Sequence, residues 1–216
     1  MIVDRVTTPR GELVLRRDGE DFEVISKGTF LMDTRNGESE RLLVRAALDR
    51  CMDPESVLIG GLGVGFSLVE ALREPRVARV TVVEVEPTIV AWHRTHLASY
   101  TKTALADPRS TVITADLLAH LRATTDRYDV ICLDIDNGPD WTVTDENADL
   151  YHDAGTALVA SRLAHGGVLA VWSAARSPTY EATLHRHFAQ VVVHEVTVER
   201  GEPDAVMVAS GHVTTS

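Results

Sequence analysis

Cysteine is scarce in this chain, with two residues in 216. Cys132 falls inside a strand-like apolar run and Cys51 at the end of a helix-like one, positions that suit buried or inert thiols in a reducing compartment. Positive charge is in deficit: 21 Lys and Arg stand against 32 Asp and Glu, a formal net charge of -11. That balance argues against broad contact with nucleic acid or an anionic membrane, and it is compatible with a small cationic substrate. No apolar run approaches membrane-spanning length, and Met1 to Arg10 is polar and charged, unlike a signal segment. The expectation is a cytoplasmic protein with no membrane and no nucleic-acid partner. Repeats and low-complexity segments are missing. The nine histidines form no ligand set. His93 and His96 share one helix-like segment with nothing spaced to join them, and His185 and His187 face apart, so no metal is expected. Neither a Gly-x-Ser-x-Gly elbow nor a phosphate-binding loop appears, which removes support for hydrolase and kinase chemistry.

What the chain does have is an apolar, β-branched run that enters closely spaced glycines, Val57-Leu58-Ile59-Gly60-Gly61-Leu62-Gly63-Val64-Gly65. A helix-like segment follows, then a second apolar run, Val82-Val83, ending in Glu84. This reads as strand, tight turn, helix and strand, with a carboxylate at the second strand's tip. Glycines let a nucleoside approach the backbone, and the acid can accept from ribose hydroxyls. The spacing from last glycine to acid, about twenty residues, fits a βαβ nucleoside site. Gly61, Gly63 and Gly65 give G-x-G-x-G, and Phe66 stands where a dinucleotide site needs its third glycine. The looser pattern is typical of S-adenosylmethionine enzymes.

The length suits a single sizeable core. Residues 1–50 are expected to form an N-terminal β-hairpin and helix extension, and residues 51–216 the nucleoside-binding α/β domain. In the extension, Glu12 to Arg17 and Phe22 to Ile25 alternate around the Asp18-Gly19-Glu20 turn, a short strand follows near Thr29 to Met32, and Glu38 to Leu48 has helical spacing. From Ser56, strands and helices alternate. Strands are expected at Ser56–Gly60, Arg79–Glu84, Thr111–Thr114, Tyr128–Asp134 and Gly167–Ser173. Helices are expected at Phe66–Arg73, Pro87–Ser99, Leu117–Thr124, Ala148–Ala164 and Pro178–His187. Gln190–Val198 and Asp204–Ser210, joined by Gly201-Glu202-Pro203, close the chain as an antiparallel pair. The fold class is α/β, Rossmann-like: a mostly parallel seven-stranded sheet with an antiparallel last strand, as in class I methyltransferases, plus the N-terminal hairpin extension. Ligands in such sheets bind at the carboxyl ends of strands, which selects Gly60 to Gly65, Glu84, Asp116 and Asp134 to Asn137.

On these motifs the chain resembles the spermidine synthase (polyamine aminopropyltransferase) family, from the N-terminal hairpins through Ser173. The family's glycine motif looks like Val57 to Gly65. Its V-E-I-D segment, whose glutamate binds ribose, looks like Val83-Glu84-Val85-Glu86. Its "DPR…GD" segment, whose acid contacts the adenine amino group, looks like Asp107-Pro108-Arg109 through Asp116. Its D-V-I-x-x-D strand, ending in the acid that deprotonates the amine nucleophile, looks like Asp129 through Asp134. The resemblance implies a homodimer contact or a pocket cover made by the N-terminal hairpins.

Three departures matter. The family's glycine loop carries an aspartate that grips the amine of decarboxylated S-adenosylmethionine, and the matching place is Gly63. The family's D-E-x-x-Y-H-E acceptor segment reads here Gly37-Glu38-Ser39-Glu40-Arg41-Leu42-Leu43. The family's second acid after the catalytic one matches Asn137. The expected donor is therefore S-adenosylmethionine or its decarboxylated form, held by Gly60, Gly61, Gly63, Gly65, Glu84, Asp116 and Asp134. Asp134 is also the expected catalytic acid/base, since an amine nucleophile is cationic near neutral pH and must lose a proton before attack. Asp136, Asn137 and Trp141 are the expected acceptor-binding residues. Trp141 serves either as a lid or in packing, and Asp116 either reads adenine or caps the next helix. A small-molecule acceptor, most simply an amine, is the expected partner. The leading reading is methyl (or related alkyl) transfer from full S-adenosylmethionine. The alternative is aminopropyl transfer from the decarboxylated donor to a polyamine, and a third is a non-catalytic nucleoside-binding protein.

Overall fold

A computed structural model of the chain describes residues 1–135, 137–142, 147–199 and 201–212. It begins with a four-stranded antiparallel meander, β1 (Ile2–Thr8), β2 (Gly11–Asp18), β3 (Asp21–Ser26) and β4 (Thr29–Asp33). The extension is thus one strand larger than the expected hairpin plus one. β1 escapes the sequence pattern because it is a half-exposed edge strand with polar residues on its open face.

The main sheet has strand order β10-β11-β9-β8-β5-β6-β7. Its strands are β5 (Ser56–Gly60), β6 (Arg79–Glu84), β7 (Ser110–Thr114), β8 (Tyr128–Leu133), β9 (Leu163–Ser173), β10 (Phe188–Val196) and β11 (Asp204–His212). β5 through β9 are mutually parallel, and β11 runs antiparallel to both β9 and β10. Helices are α1 (Glu38–Arg50), α2 (Phe66–Arg73), α3 (Pro87–His93), α4 (Ala98–Ala106), α5 (Leu117–Ala123), α6 (Ala148–Tyr151), α7 (Asp153–Ser161) and α8 (Pro178–His187). The sheet is covered on both faces, which is why its parallel strands read as continuous apolar runs. Val57, Ile59, Val130 and Cys132 face one core with α1 to α4 and the N-terminal sheet. Leu58, Ile131 and Leu133 face the other core with α5 to α8. Helix α1, grouped with the extension in the sequence reading, packs against α2, β9 and β11.

Three boundaries differ from the sequence reading for local reasons. The helix expected over Pro87–Ser99 breaks after His93. There the Thr95 hydroxyl turns back to the Ala91 carbonyl at 3.1 Å and the Leu97 N–H reaches Trp92 O at 2.8 Å, before α4 starts. The helix expected over Ala148–Ala164 splits at His152, and Gly155 lets α7 abut α6, because a Cβ there would lie 2.0 Å from Asp149 O. The strand expected to begin at Gly167 starts at Leu163 instead, and Gly166-Gly167 lies inside it at a register shift against β8.

Successive strands run β5-β6-β7 in one direction and β8-β9 in the other, so the crevice at the carboxyl ends of β5 and β8 is the topological switch point. The N-terminal sheet docks beside it. Trp92 Nε1 donates to Asp4 Oδ2 at 2.8 Å, Thr8 Oγ1 to Glu86 Oε1 at 3.2 Å, and Arg10 Nη1 to the Val85 carbonyl at 3.3 Å.

Candidate active site

The glycine turn between β5 and α2 needs glycine at two places for different reasons. Gly61 has φ +90, and a Cβ there would lie 2.2 Å from the Asp134 carbonyl oxygen, so its absence lets β5 close on β8. Gly65 has φ +93, and a Cβ would meet Thr101 Cγ2 at 2.1 Å. Gly63 differs: it is left-handed at φ +53, but a Cβ would meet only Met32 Sδ at 3.3 Å. A side chain at Gly63 would thus press on Met32 of β4, a flexible neighbour, and would strain the left-handed backbone. The loop is held from below by His93, which is 1% exposed. Its Nε2 lies 2.8 Å from Gly63 O and its Nδ1 2.7 Å from Thr101 Oγ1. Burial keeps this imidazole neutral by lowering its pKa, so Nε2–H donates to the carbonyl and Nδ1 accepts from the hydroxyl.

At the tip of β6, Glu84 is 7% exposed. Its Oε2 accepts from the Leu62 N–H at 2.9 Å and its Oε1 from the Glu86 N–H at 2.8 Å. Burial raises its pKa while these two bonds oppose the shift. Glu84 therefore ties the glycine loop to the start of α3. The neighbouring Glu86 Oε2 is buried with no hydrogen-bond partner among the described residues, an acceptor that suits a ligand hydroxyl. Asp116 caps α5, its Oδ1 accepting from the Ala119 N–H at 2.7 Å. The Asp107-Pro108-Arg109 segment lies away from the strand tips. Arg109 pairs with Asp107 at 2.9 Å and donates to the Leu72 carbonyl at 2.7 Å, fastening α2 to β7.

Asp134 sits at the switch point, its N–H on Gly60 O at 2.9 Å and its Oδ2 accepting from Ser67 Oγ at 2.6 Å. Two further acids lie here, Glu40 from the Gly37–Leu43 segment and, beside Glu40, Asp204. Glu40, in the first turn of α1, lies beside Asp134. Ser39 donates to Asp204 Oδ2 at 2.7 Å and stands 3.1 Å from Glu40 Oε2. Burial, then the proximity of Asp134, pushes Glu40 up to about 7. Burial also pushes Asp134 up, to about 6, against the Ser67 hydrogen bond, and burial raises Asp204. Among the described residues, no lysine, arginine or histidine forms an ion pair with any of the three, whereas the buried Glu23 and Glu70 are each paired with arginines.

A cavity of about 400 Å³ opens beside Asp204, lined by Asn137, Asp140, Trp141, Ser173 and Glu202 among others. Asn137 and Trp141, both named from sequence, thus share this wall, and Trp141 is 60% exposed. Asp136 lies outside the described residues, as do Asp145 and Glu146. Among the described residues no group of three or more His, Cys, Asp or Glu is placed to hold a metal ion, and no helix is long and apolar enough to cross a membrane. Sequence reasoning missed Glu40, Ser67, Asp204 and His93. The one local signal was the acidic first turn of α1, since the partners are far apart in the chain.

A family model of the spermine/spermidine synthase domain matches residues 38–208. Polyamine aminopropyltransferase 2 of Pseudomonas aeruginosa is 33% identical over 168 residues, which cover 73% of this chain and 46% of that protein. The polyamine aminopropyltransferase of Mycobacterium tuberculosis is 30% identical over 165 residues, 74% of this chain and 30% of that one. The chain spans less than half the length of these curated relatives. A spermidine synthase crystallised with the transition state analogue AdoDATO superposes with a TM-score of 0.80 at 18% identity, over 97% of this chain and 73% of that chain. Human methyltransferase-like protein 13 in complex with SAH superposes at 0.60 and 20% identity, over 82% and 80%. These likenesses establish the fold, and the family match together with the sequence relatives establishes the lineage: the chain belongs to the spermine/spermidine synthase family.

Proposed function

We propose that this chain transfers an aminopropyl group from decarboxylated S-adenosylmethionine to an aliphatic amine, with Asp134 holding the acceptor and taking its proton. The observation that carries this reading is the position of Asp134: a carboxylate without an ion-pair partner among the described residues, at the switch point, with its backbone against the glycine loop. The names of the relatives favour the aminopropyl branch over methyl transfer. When bound, the sulfonium donor supplies an electrophilic carbon and a neutral thioether leaving group. The chain's own work is then placement and proton removal. The glycine turn, braced by Glu84 and His93, leaves room for the nucleoside, with Glu86 Oε2 as a free acceptor. Asp116 stands ready for the base while capping α5. Asp134 orients the ammonium and accepts its proton, which leaves a neutral nitrogen with its lone pair. Trp141 and Asn137 border the acceptor cavity. Two buried, unpaired thiols, Cys51 and Cys132, support a reducing, cytoplasmic setting.

Methyl transfer from full S-adenosylmethionine is the second reading, and one observation favours it: glycine at Gly63, left-handed at φ +53, stands where the family holds an amine-gripping acid. Calorimetric titration with each donor under identical conditions separates the two. Tighter binding of the decarboxylated form supports aminopropyl transfer. Tighter binding of the full donor overturns it and supports the methyl reading.

A further inference from the structure

We propose that Ser67 and Tyr151 are positioning residues for Asp134. From opposite faces of the main sheet, their two hydroxyls fix which carboxylate oxygen takes the acceptor's proton and how the strand tip presents it. The inference rests on the reading of Asp134 as proton acceptor and deepens it. Both residues lie outside the glycine, V-E-I-D, DPR…GD and D-V-I-x-x-D segments.

Ser67 stands in the first turn of α2 and is 1% exposed. Its hydroxyl has one proton and two oxygens within reach, Asp134 Oδ2 at 2.6 Å and the Glu40 carbonyl at 3.4 Å. The short bond to a carboxylate prevails over the long one to a neutral carbonyl. Oδ2 is thereby committed. Oδ1 accepts from none of the described residues, so it is the oxygen left for an incoming N–H. The same bond governs charge. Burial pushes the Asp134 carboxyl up and the Ser67 hydroxyl draws it back, toward the ionised form that a proton acceptor needs. The ionisable groups that face Asp134 are Glu40 from α1, with Asp204 of β11 behind it, and Cys132 from its own strand. None of these is a cation, so among the described residues the serine is what favours the charged form.

The second anchor acts on the main chain and comes from the other core. Tyr151 of α6 is 5% exposed and donates its hydroxyl to the Ile135 carbonyl at 3.1 Å. Ile135 follows Asp134 directly and rests on the glycine turn, its Cδ1 lying 3.0 Å from where a Gly60 Cβ would stand. The chain is thus held on both sides of Asp134, by its own N–H on Gly60 O at 2.9 Å and by the next carbonyl on Tyr151. Tyr180 meets the Tyr151 ring edge-on, with centroids 5.3 Å apart at 90°, so the ring stays packed when only its hydroxyl is removed. In the transfer step an acceptor N–H bond breaks and its proton forms an O–H bond at Oδ1. The electron pair stays on nitrogen and attacks the donor carbon, whose bond to sulfur breaks with its pair leaving on sulfur. A carboxylate fixed at Oδ2 and along its main chain meets that proton in one geometry.

The test compares wild type with Ser67→Ala, Ser67→Cys and Tyr151→Phe, using decarboxylated S-adenosylmethionine and 1,4-diaminobutane for turnover. Infrared titration of the Asp134 carboxyl, its band assigned with Asp134→Asn, reads ionisation without turnover. S67A is expected to raise the Asp134 midpoint by about one pH unit, to move the acid limb of kcat/KM with it, and to lower kcat by about tenfold. Donor Kd stays unchanged. S67C restores the volume but offers only a weak donor, so it should follow S67A and not wild type. Y151F should lower kcat by about fivefold with donor Kd unchanged and the midpoint moved less than in S67A. An unmoved midpoint in S67A, or S67C matching wild type, overturns the role of Ser67. A lower melting temperature with unchanged kcat in Y151F overturns that of Tyr151. If wild type transfers nothing to the amine while S67A still moves the midpoint, the proton-acceptor reading fails and the serine's control of the Asp134 charge stands. If wild type turns over and no variant alters its kinetics, the reading stands and the inference fails.

Discussion

Replacing Glu40 with Gln should make the protein more stable at mildly alkaline pH. In the folded state burial and Asp134 push Glu40 from 4.5 up to about 7. A folded pKa above the unfolded one means that the native state binds more protons, so stability falls as pH rises. The contribution is intact below the unfolded pKa and is lost progressively up to and through the folded one. A rise from 4.5 to about 7, at about 1.36 kcal/mol per unit, sets a ceiling of about 3 kcal/mol. Asp134 shares the penalty and is relieved only in part by the substitution, so a gain of roughly 1–2 kcal/mol at about pH 8 is expected, falling toward zero at about pH 4.5. For a chain of this size that is a melting-temperature rise of about 2–8 °C at the higher pH. Thermal unfolding of wild type and Glu40→Gln across this range reads it directly. Parallel stability curves, or a variant less stable at about pH 8, would refute the claim that the cluster is strained by unpaired charge.

Three further outcomes follow from the loop and strand tips. Gly61→Ala places a left-handed Cβ 2.2 Å from the Asp134 carbonyl. The backbone cost of about 1–2 kcal/mol, plus forced separation of β5 and β8, should lower both melting temperature and turnover. Unchanged turnover would show that the strand tips tolerate separation. Asp116→Ala removes the cap on the Ala119 N–H and should cost about 1 kcal/mol, measured by denaturant unfolding. A stability loss without weaker donor binding by calorimetry would confine Asp116 to capping. His93→Phe leaves Gly63 O and Thr101 Oγ1 without their buried partner and should raise donor Kd at least severalfold, with acceptor KM less affected. The reverse split would contradict its role as a positioning residue for the loop.

Where the chain's local chemistry is one-sided, the fold was readable. Ser56–Gly60 and Arg79–Glu84 are apolar, β-branched runs ended by glycine and by an acid, and their observed limits coincide with the sequence reading. Phe66–Arg73 and Pro178–His187 likewise open on a tight turn and on Ser177-Pro178, and both helices form as expected. The misplaced boundaries are those set by single side chains folding back, such as Thr95 on Ala91 O, or by close approach, such as Gly155 on α6. The positions of Asp134 and of the glycines at the strand tips were legible because strand-end chemistry is local. The role of Glu84 was only half legible. Its carboxylate sits where the motif places it, but it serves the Leu62 and Glu86 N–H groups, which spacing does not reveal. Asp129, part of the same motif as Asp134, lies at the opposite end of β8 and holds Ser56 at 2.6 Å. That Glu40 meets Asp204 was illegible, because the two come together only through the packing of α1 on β11.

The most direct test of the account identifies the nucleoside released when the protein is given both donors together with a mixture of di- and triamines. The account predicts methylthioadenosine formed from decarboxylated S-adenosylmethionine, with a matching aminopropylated amine and with Asp134→Asn inactive. S-adenosylhomocysteine with a methylated amine, or methylthioadenosine at the same rate from Asp134→Asn, would contradict it.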